Sequence, residues 1–283
     1  MFRYPDLGTP SKIPEFATCS GVLIDDQLVL TAGHCTPDDG ACDDQRIVFD
    51  HAITDPSQPV AIDADAVHRC RSVAVRAHDI DAGGHRRDYA VIELDRPVGS
   101  ARRPAELSGA PPPAGSDVTV IGCPSGLPAK VDPGPQLLYA RPCGDHFTLD
   151  SDTFEATSGS GVFDDRGQLA GLFVRGGIDY EFVPDRGCAV VRRIADVTDP
   201  TQAEQAGYVT PAITALCASG WPSARLCAAA PAPIEDAASC PPEDPAAGET
   251  SGGCDPTSSV RLRSAFLMLP RVFRMLRHGR PQT

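Results

Sequence analysis

Cys19-Ser20-Gly21-Val22-Leu23-Ile24, and a few residues later Val29-Leu30-Thr31-Ala32-Gly33-His34-Cys35, are the stretches that decide the fold. Two short apolar runs flank the polar Asp25-Asp26-Gln27, and the second run ends on a histidine held between a glycine and a cysteine. Runs this short, rich in Val, Ile and Leu and closed by turn residues, read as strands. A lone histidine in a turn carries no chemistry by itself. One that ends an apolar strand as Thr-Ala-Gly-His-Cys is a specific motif.

Outward from that hairpin the same pattern repeats. Short apolar or alternating runs occur at residues 46–49, 72–75, 89–94, 117–121, 161–163, 169–174 and 188–191, punctuated by Asp-Asp, Gly and Pro. Between about residues 16 and 194 there is no long helical periodicity, which makes the region an all-β sandwich or barrel. Thr210-Pro211 then opens a short helix to about Ser219, with threonine suited to the N-cap, proline to the first turn and Gly220 to the stop. The reading divides the chain into a folded unit over residues 1–220, a Pro/Ala/Ser-rich linker over 221–259 and a basic tail over 260–283. In the tail Leu262, Phe266, Leu269, Phe273 and Leu276 recur near helical spacing among arginines. That spacing suits either an amphipathic helix, in weak contact with an anionic membrane surface or docked on a partner, or, since Pro270 interrupts it, a frayed end.

The formal net charge of -13 excludes nucleic acid as the main partner, because phosphate binding needs a basic surface. Six arginines and no acid follow residue 260, so the remainder is more acidic still. Eleven cysteines point to an oxidising compartment, secreted or periplasmic, with at least one thiol unpaired within the chain. Met1-Phe2-Arg3-Tyr4-Pro5-Asp6 carries no apolar stretch of signal-peptide length, so the compartment rests on the cysteines alone. No two cysteines form a CxxC pair, and neither metal nor cofactor is expected. His51, His68, His78, His85 and His146 read most simply as surface residues.

Acyl transfer by a serine needs a base on the hydroxyl, an acid that orients the base, and paired backbone N–H groups for the oxyanion. The motif around His34 resembles the CGGSLI…TAAHC segment of the chymotrypsin-like serine protease family. Arg87-Asp88-Tyr89-Ala90-Val91-Ile92-Glu93-Leu94 looks like that family's aspartate-bearing strand. Asp152-Thr153-Phe154-Glu155-Ala156-Thr157-Ser158-Gly159-Ser160-Gly161 is similar to the nucleophile loop of its bacterial trypsin-like branch, and the order His, Asp, Ser is the family's own. Val120-Ile121-Gly122-Cys123-Pro124-Ser125-Gly126 and Gly171-Leu172-Phe173-Val174-Arg175-Gly176 extend the likeness.

This resemblance implies two six-stranded antiparallel β-barrels, a short C-terminal helix and an irregular tail. It also implies a catalytic triad of His34, Asp88 and Ser158, and an oxyanion hole from the N–H groups of Ala156 and Ser158. Protein or peptide would be the substrate, a disulfide would join Cys19 to Cys35, and Val174 and Gly176 would line the substrate. Cys42 and Cys70 would staple the loop after the histidine to a nearby strand. Asp152 falls where trypsin-like members place a pocket aspartate that selects Arg or Lys, or else it caps the loop. Two departures matter. Ala156 stands where the family has glycine, which would weaken the hole if the peptide flipped and leave a peptide-binding pseudoprotease. Thr157 replaces the aspartate that pairs with a cleaved N-terminus, so that activation switch is not needed.

Overall fold

The computed structural model describes residues 17–37, 40–58, 60–80, 86–140, 146–192, 203–228 and 265–268. The chain enters as β1 (Cys19–Ser20), β2 (Val22–Asp25) and β3 (Leu28–Thr31), the hairpin read from the sequence. β4 (Arg46–Phe49), the long β5 (Val67–Ile80) and β6 (Arg86–Leu94) follow. The second half is built from β7 (Asp117–Gly122), β8 (Lys130–Ala140), β9 (His146–Leu149), β10 (Gly161–Phe163) and β11 (Leu169–Arg175). β12 (Tyr180–Val183) and β13 (Cys188–Val191) form a separate hairpin, and β14 (Glu204–Tyr208) returns to the main sheet. The helices α1 (Thr210–Ala218) and α2 (Ala224–Cys227) come next, then β15 (Ala265–Met268) from the tail.

These strands make the double barrel. The second half closes fully in the order β10-β11-β14-β9-β8-β7. The first half differs from the expected closed set of six. It is a seven-stranded sheet in the order β1-β15-β4-β5-β6-β3-β2, with β15 parallel to both neighbours. Its edge strands β1 and β2 are consecutive in the chain, so the sheet curls round until its edges meet at Gly21, through a backbone bend rather than a ladder. Of the basic tail, residues 265–268 are extended rather than helical; its other residues lie outside the described ones.

Each half has its own core. Ile24, Leu28, Leu30, Ile47, Phe49, Ile92 and Leu94 fill the first. Val118, Val120, Leu137, Phe147, Leu149, Val162 and Phe173 fill the second. Fully burying one such side chain contributes about 1.5–3 kcal/mol. α1 lays Ile213 and Leu216 on the first core, and Trp221 packs beside them. The helix starts at Thr210, the residue expected as its cap, and Val209 occupies the N-cap instead, because its carbonyl takes the first helical bond from the Ile213 N–H (3.2 Å). Gly220, at φ +83°, ends it as read. The disulfide Cys217–Cys227 and the Ser223 cap on α2 carry the packed unit past residue 220. Among the described residues no helix is long and apolar enough to cross a membrane.

His51 and His68, expected at the surface, are buried. The His68 ring packs edge-on against Phe49 with centroids 5.2 Å apart. Burial pushes both histidines below their ordinary pKa, which keeps them uncharged in the core; Arg96 pushes His68 further the same way. His85 lies outside the described residues.

Candidate active site

The site lies where the two barrels meet, and backbone pairing brings its parts together. β3 delivers His34 on a single 3-10 turn, Gly33–Cys35. Arg76 Nε holds that turn by donating to the Gly33 carbonyl and the Thr36 hydroxyl, both at 2.9 Å. Behind it Cys35 is bonded to Cys19 with Cα atoms 6.1 Å apart, the staple the resemblance implied. Cys42 is likewise bonded to Cys70, with Cα atoms 5.6 Å apart. These three bridges, among the described residues, fit an extracellular or periplasmic location. Cys123 is a buried free thiol, pushed up to about 12 by its burial, and so is inert; Cys188 is free and exposed.

Asp88 sits on β6 and grips His34 at two points. One carboxylate oxygen accepts from the His34 backbone N–H (3.0 Å), and the other lies 2.8 Å from Nδ1. A carboxylate only accepts, so Nδ1 carries the proton and Nε2 is left with its lone pair. That is the geometry of an oriented general base.

The loop 152–160 reaches this pair through β1. The Ser20 N–H donates to the Ser158 carbonyl at 2.7 Å, and Cys35 Sγ lies 3.8 Å from the same oxygen. Gly159, at φ +87°, lets the loop approach this closely: a Cβ there would stand 2.1 Å from the Ser20 carbonyl oxygen. The Gly159 N–H donates to the Phe173 carbonyl (2.7 Å), and the Phe173 N–H donates to the Ser160 carbonyl (2.8 Å). The loop is thereby locked to both barrels. Ser158 is half-buried and Ser160 fully buried, its hydroxyl without a hydrogen-bond partner among the described residues. His34 and Ser158 thus lie on neighbouring segments. Among the described residues no hydrogen bond joins Ser158 Oγ to Nε2, a contact that often tightens only when substrate binds.

Ala156 has φ +65°, the left-handed region its glycine counterpart would favour. Its neighbouring peptides are nonetheless fixed. The Ser125 N–H donates to the Glu155 carbonyl at 2.6 Å, and the Ser20 hydroxyl donates to the Ala156 carbonyl at 3.0 Å. The same hydroxyl accepts from the Cys123 N–H at 3.0 Å. A trans peptide points its C=O and N–H in opposite directions. With the Glu155 carbonyl turned to Ser125, the Ala156 N–H points to the far side of the peptide from the 123–126 turn.

Ser20 and Ser125 were not singled out from the sequence as site residues. The visible signals were weak: a hydroxyl inside the apolar Cys19–Ile24 run, and a serine between proline and glycine. Because left-handed backbone strains alanine by about 1–2 kcal/mol, Ala156→Gly is expected to be neutral or stabilising by up to about 1 kcal/mol after the glycine's extra unfolded-state entropy. Urea unfolding midpoints measure this.

Of the other candidates, Asp152 is exposed, and its backbone N–H donates to an Asp132 carboxylate oxygen (3.2 Å). Val174 is buried near the end of β11, and Gly176 is exposed just beyond it. Thr157 is buried, its hydroxyl accepting from the Phe154 N–H at 3.4 Å. Among the described residues two groups bring possible metal donors within 4.8 Å of one another. In Cys19, His34 and Cys35 the sulfurs are spent in the disulfide. In His34, His78 and Asp88 the carboxylate already holds His34.

The fold and site define a class: a double-barrel hydrolase scaffold with an Asp-His pair set beside a serine loop. The trypsin-like peptidase domain family matches residues 19–172, more than half of the chain, and the chain belongs to that family. No curated protein matches it in sequence. Among solved structures it is similar to a Glu endopeptidase in complex with MPD (17% identity over 72% of this chain and 85% of that one, TM-score 0.46). It is also similar to an inactive form of the Rv3671c protease (16%, 71% and 83%, 0.40) and to kallikrein-related peptidase 10 (17%, 71% and 90%, 0.43).

Proposed function

We propose that this chain is a serine endopeptidase that cleaves peptide bonds through an acyl-enzyme. The observation that carries the reading is the two-point grip of Asp88 on His34, which fixes the ring and frees Nε2 to act as base. Ser158 attacks the carbonyl carbon and its proton passes to Nε2. His34 then gives that proton to the leaving amine, and water repeats the sequence to release the acid. The imidazolium formed in between is stabilised by the Asp88 carboxylate. The N–H groups of Ser158 and Ala156 receive the oxyanion; the bond from Ser125 to the Glu155 carbonyl supports a hole that is not flipped. Protein or peptide is the substrate, and the disulfides suit work outside the reducing cytosol.

A second reading has its own observation. Ala156 places a Cβ on left-handed backbone beside the hole, and a protein that cannot hold that peptide under load would bind peptides without cutting them. A fluorophosphonate probe separates the two, because uptake needs the nucleophile, the base and the hole together. Stoichiometric labelling of the purified protein is the expected result. Failure to label, in a folded protein, overturns the enzyme in favour of the binder.

A further inference from the structure

Glu204, the first residue of β14, is 6% exposed, and its Oε2 has no hydrogen-bond partner among the described residues. A buried carboxyl oxygen without a donor is destabilising by about 1–3 kcal/mol, more if charged, and calls for an explanation. Its surroundings supply one. A Cβ on Gly176 would stand 2.2 Å from this oxygen, so Glu204 rests against the backbone just past β11. The Thr153 hydroxyl, at the start of the nucleophile loop, lies near enough to the Glu204 carboxyl to favour its charged form, but among the described residues it closes no well-formed hydrogen bond to Oε2. Glu204 therefore lies between the loop that carries Ser158 and the end of the strand that would line the substrate.

The charged groups facing it are acids. Asp152 comes from the nucleophile loop, and Asp179 from the turn before β12. Asp179 is tied to the loop by accepting from the Glu155 N–H at 2.7 Å. Arg175 on β11 stands opposite Gln205, so it shares the face of that residue and not that of Glu204. Burial, reinforced by Asp179 and Asp152 and only partly offset by the Thr153 hydroxyl and the Gly177 N–H, pushes Glu204 up to about 8. Burial also raises Asp179 to about 6. Among the described residues no basic side chain acts on Glu204, and the acids around it favour a cation.

We infer that Glu204 is a specificity-determining residue of this site, the buried acid that receives an arginine or lysine side chain preceding the scissile bond. The assignment rests on the peptidase reading above, and it shifts the main selecting charge from the exposed Asp152 to Glu204. A planar guanidinium would give Oε2 the donor it lacks and neutralise the acid cluster. Because Glu204 holds its proton at neutral pH in the free protein, binding a cation expels that proton to the buffer. Affinity then rises by up to about tenfold per pH unit between pH 6 and 8.

Benzamidine, which carries the amidinium without a scissile bond, is the probe. Its binding to the wild-type chain, Glu204→Gln and Asp152→Asn is measured by calorimetry at pH 7 in buffers of different ionisation enthalpy. The expected result is release of about one proton by the wild type, and loss of at least about tenfold in affinity together with the proton release in Glu204→Gln. Asp152→Asn should lose less. Misfolding does not mimic this outcome. The raised pKa means that wild-type stability falls as pH rises from about 4.5 through about 8, so the glutamine variant should be the more stable at pH 8. Unchanged affinity in Glu204→Gln, a larger loss in Asp152→Asn, or no binding by the wild type overturns the assignment. Fluorophosphonate uptake keeps the two readings apart. A chain that labels but ignores benzamidine remains a serine peptidase and loses this pocket. One that binds benzamidine through Glu204 but does not label keeps the pocket and loses the enzyme.

Discussion

Ser158→Ala is expected to reduce peptide hydrolysis to background and to abolish fluorophosphonate labelling. The effect should be about 10⁵–10⁶ in kcat if the site works as a unit, since the rest of the machinery has nothing to activate once the nucleophile is gone. Ser160→Ala is the informative partner. It lies two residues away in the same Ser-Gly-Ser-Gly run, so sequence alone leaves it a rival nucleophile. Its residue is 0% exposed and its hydroxyl has no hydrogen-bond partner among the described residues, which gives it neither access to a substrate nor a base there. Labelling should survive in Ser160→Ala. Labelling that is lost in Ser160→Ala but kept in Ser158→Ala would reverse the assignment.

Asp88→Asn should lower kcat by about 10⁴ with little change in stability. The two-point grip explains the size. Asp88 accepts from both the backbone N–H and Nδ1 of His34, whereas asparagine has one acceptor and one donor group. If its oxygen keeps the backbone bond, its amide faces Nδ1, and the ring must change tautomer to accept there. The proton then sits on Nε2, which can no longer take one from Ser158. Steady-state kinetics at pH 7–8 measure the loss, and a fall of less than about tenfold would remove Asp88 from the mechanism.

His34, Asp88 and Ser158, the residues proposed as the triad, could be singled out because each sits in a short local motif that carries the family resemblance. His34 follows the Leu28–Thr31 strand by one turn, Asp88 lies near the start of the Arg86–Leu94 strand, and Ser158 stands in a Ser-Gly turn. The staple Cys19–Cys35 was legible for the same reason. The partners Ser20, Ser125 and Glu204 were not, because each acts on a residue far away in the chain. Ser20 meets Ala156, Ser125 meets Glu155, and Glu204 meets Gly176 and Thr153. The buried His51 and His68 were misread for a related reason: a histidine carries no local sign of whether a sheet will cover it.

The sequence alone determined the strand pattern, the order of the three chemical motifs, the oxidising chemistry of the cysteines and the oddity of alanine at position 156. The strand pattern, the motif order and the cysteine chemistry follow from side-chain type and local spacing; the oddity of Ala156 follows from the resemblance. Only the tertiary structure decided that β1 and β2 close the first sheet at Gly21, that the Ala156 backbone is left-handed with both flanking carbonyls tied, and that an acid is buried beside the 152–160 loop with one oxygen lacking a partner among the described residues. The physical reason is that hydrogen-bond satisfaction and burial are properties of the assembled surfaces. A carboxyl on β14 and a glycine after β11 have no relation along the chain until the closed barrel sets β11 and β14 side by side.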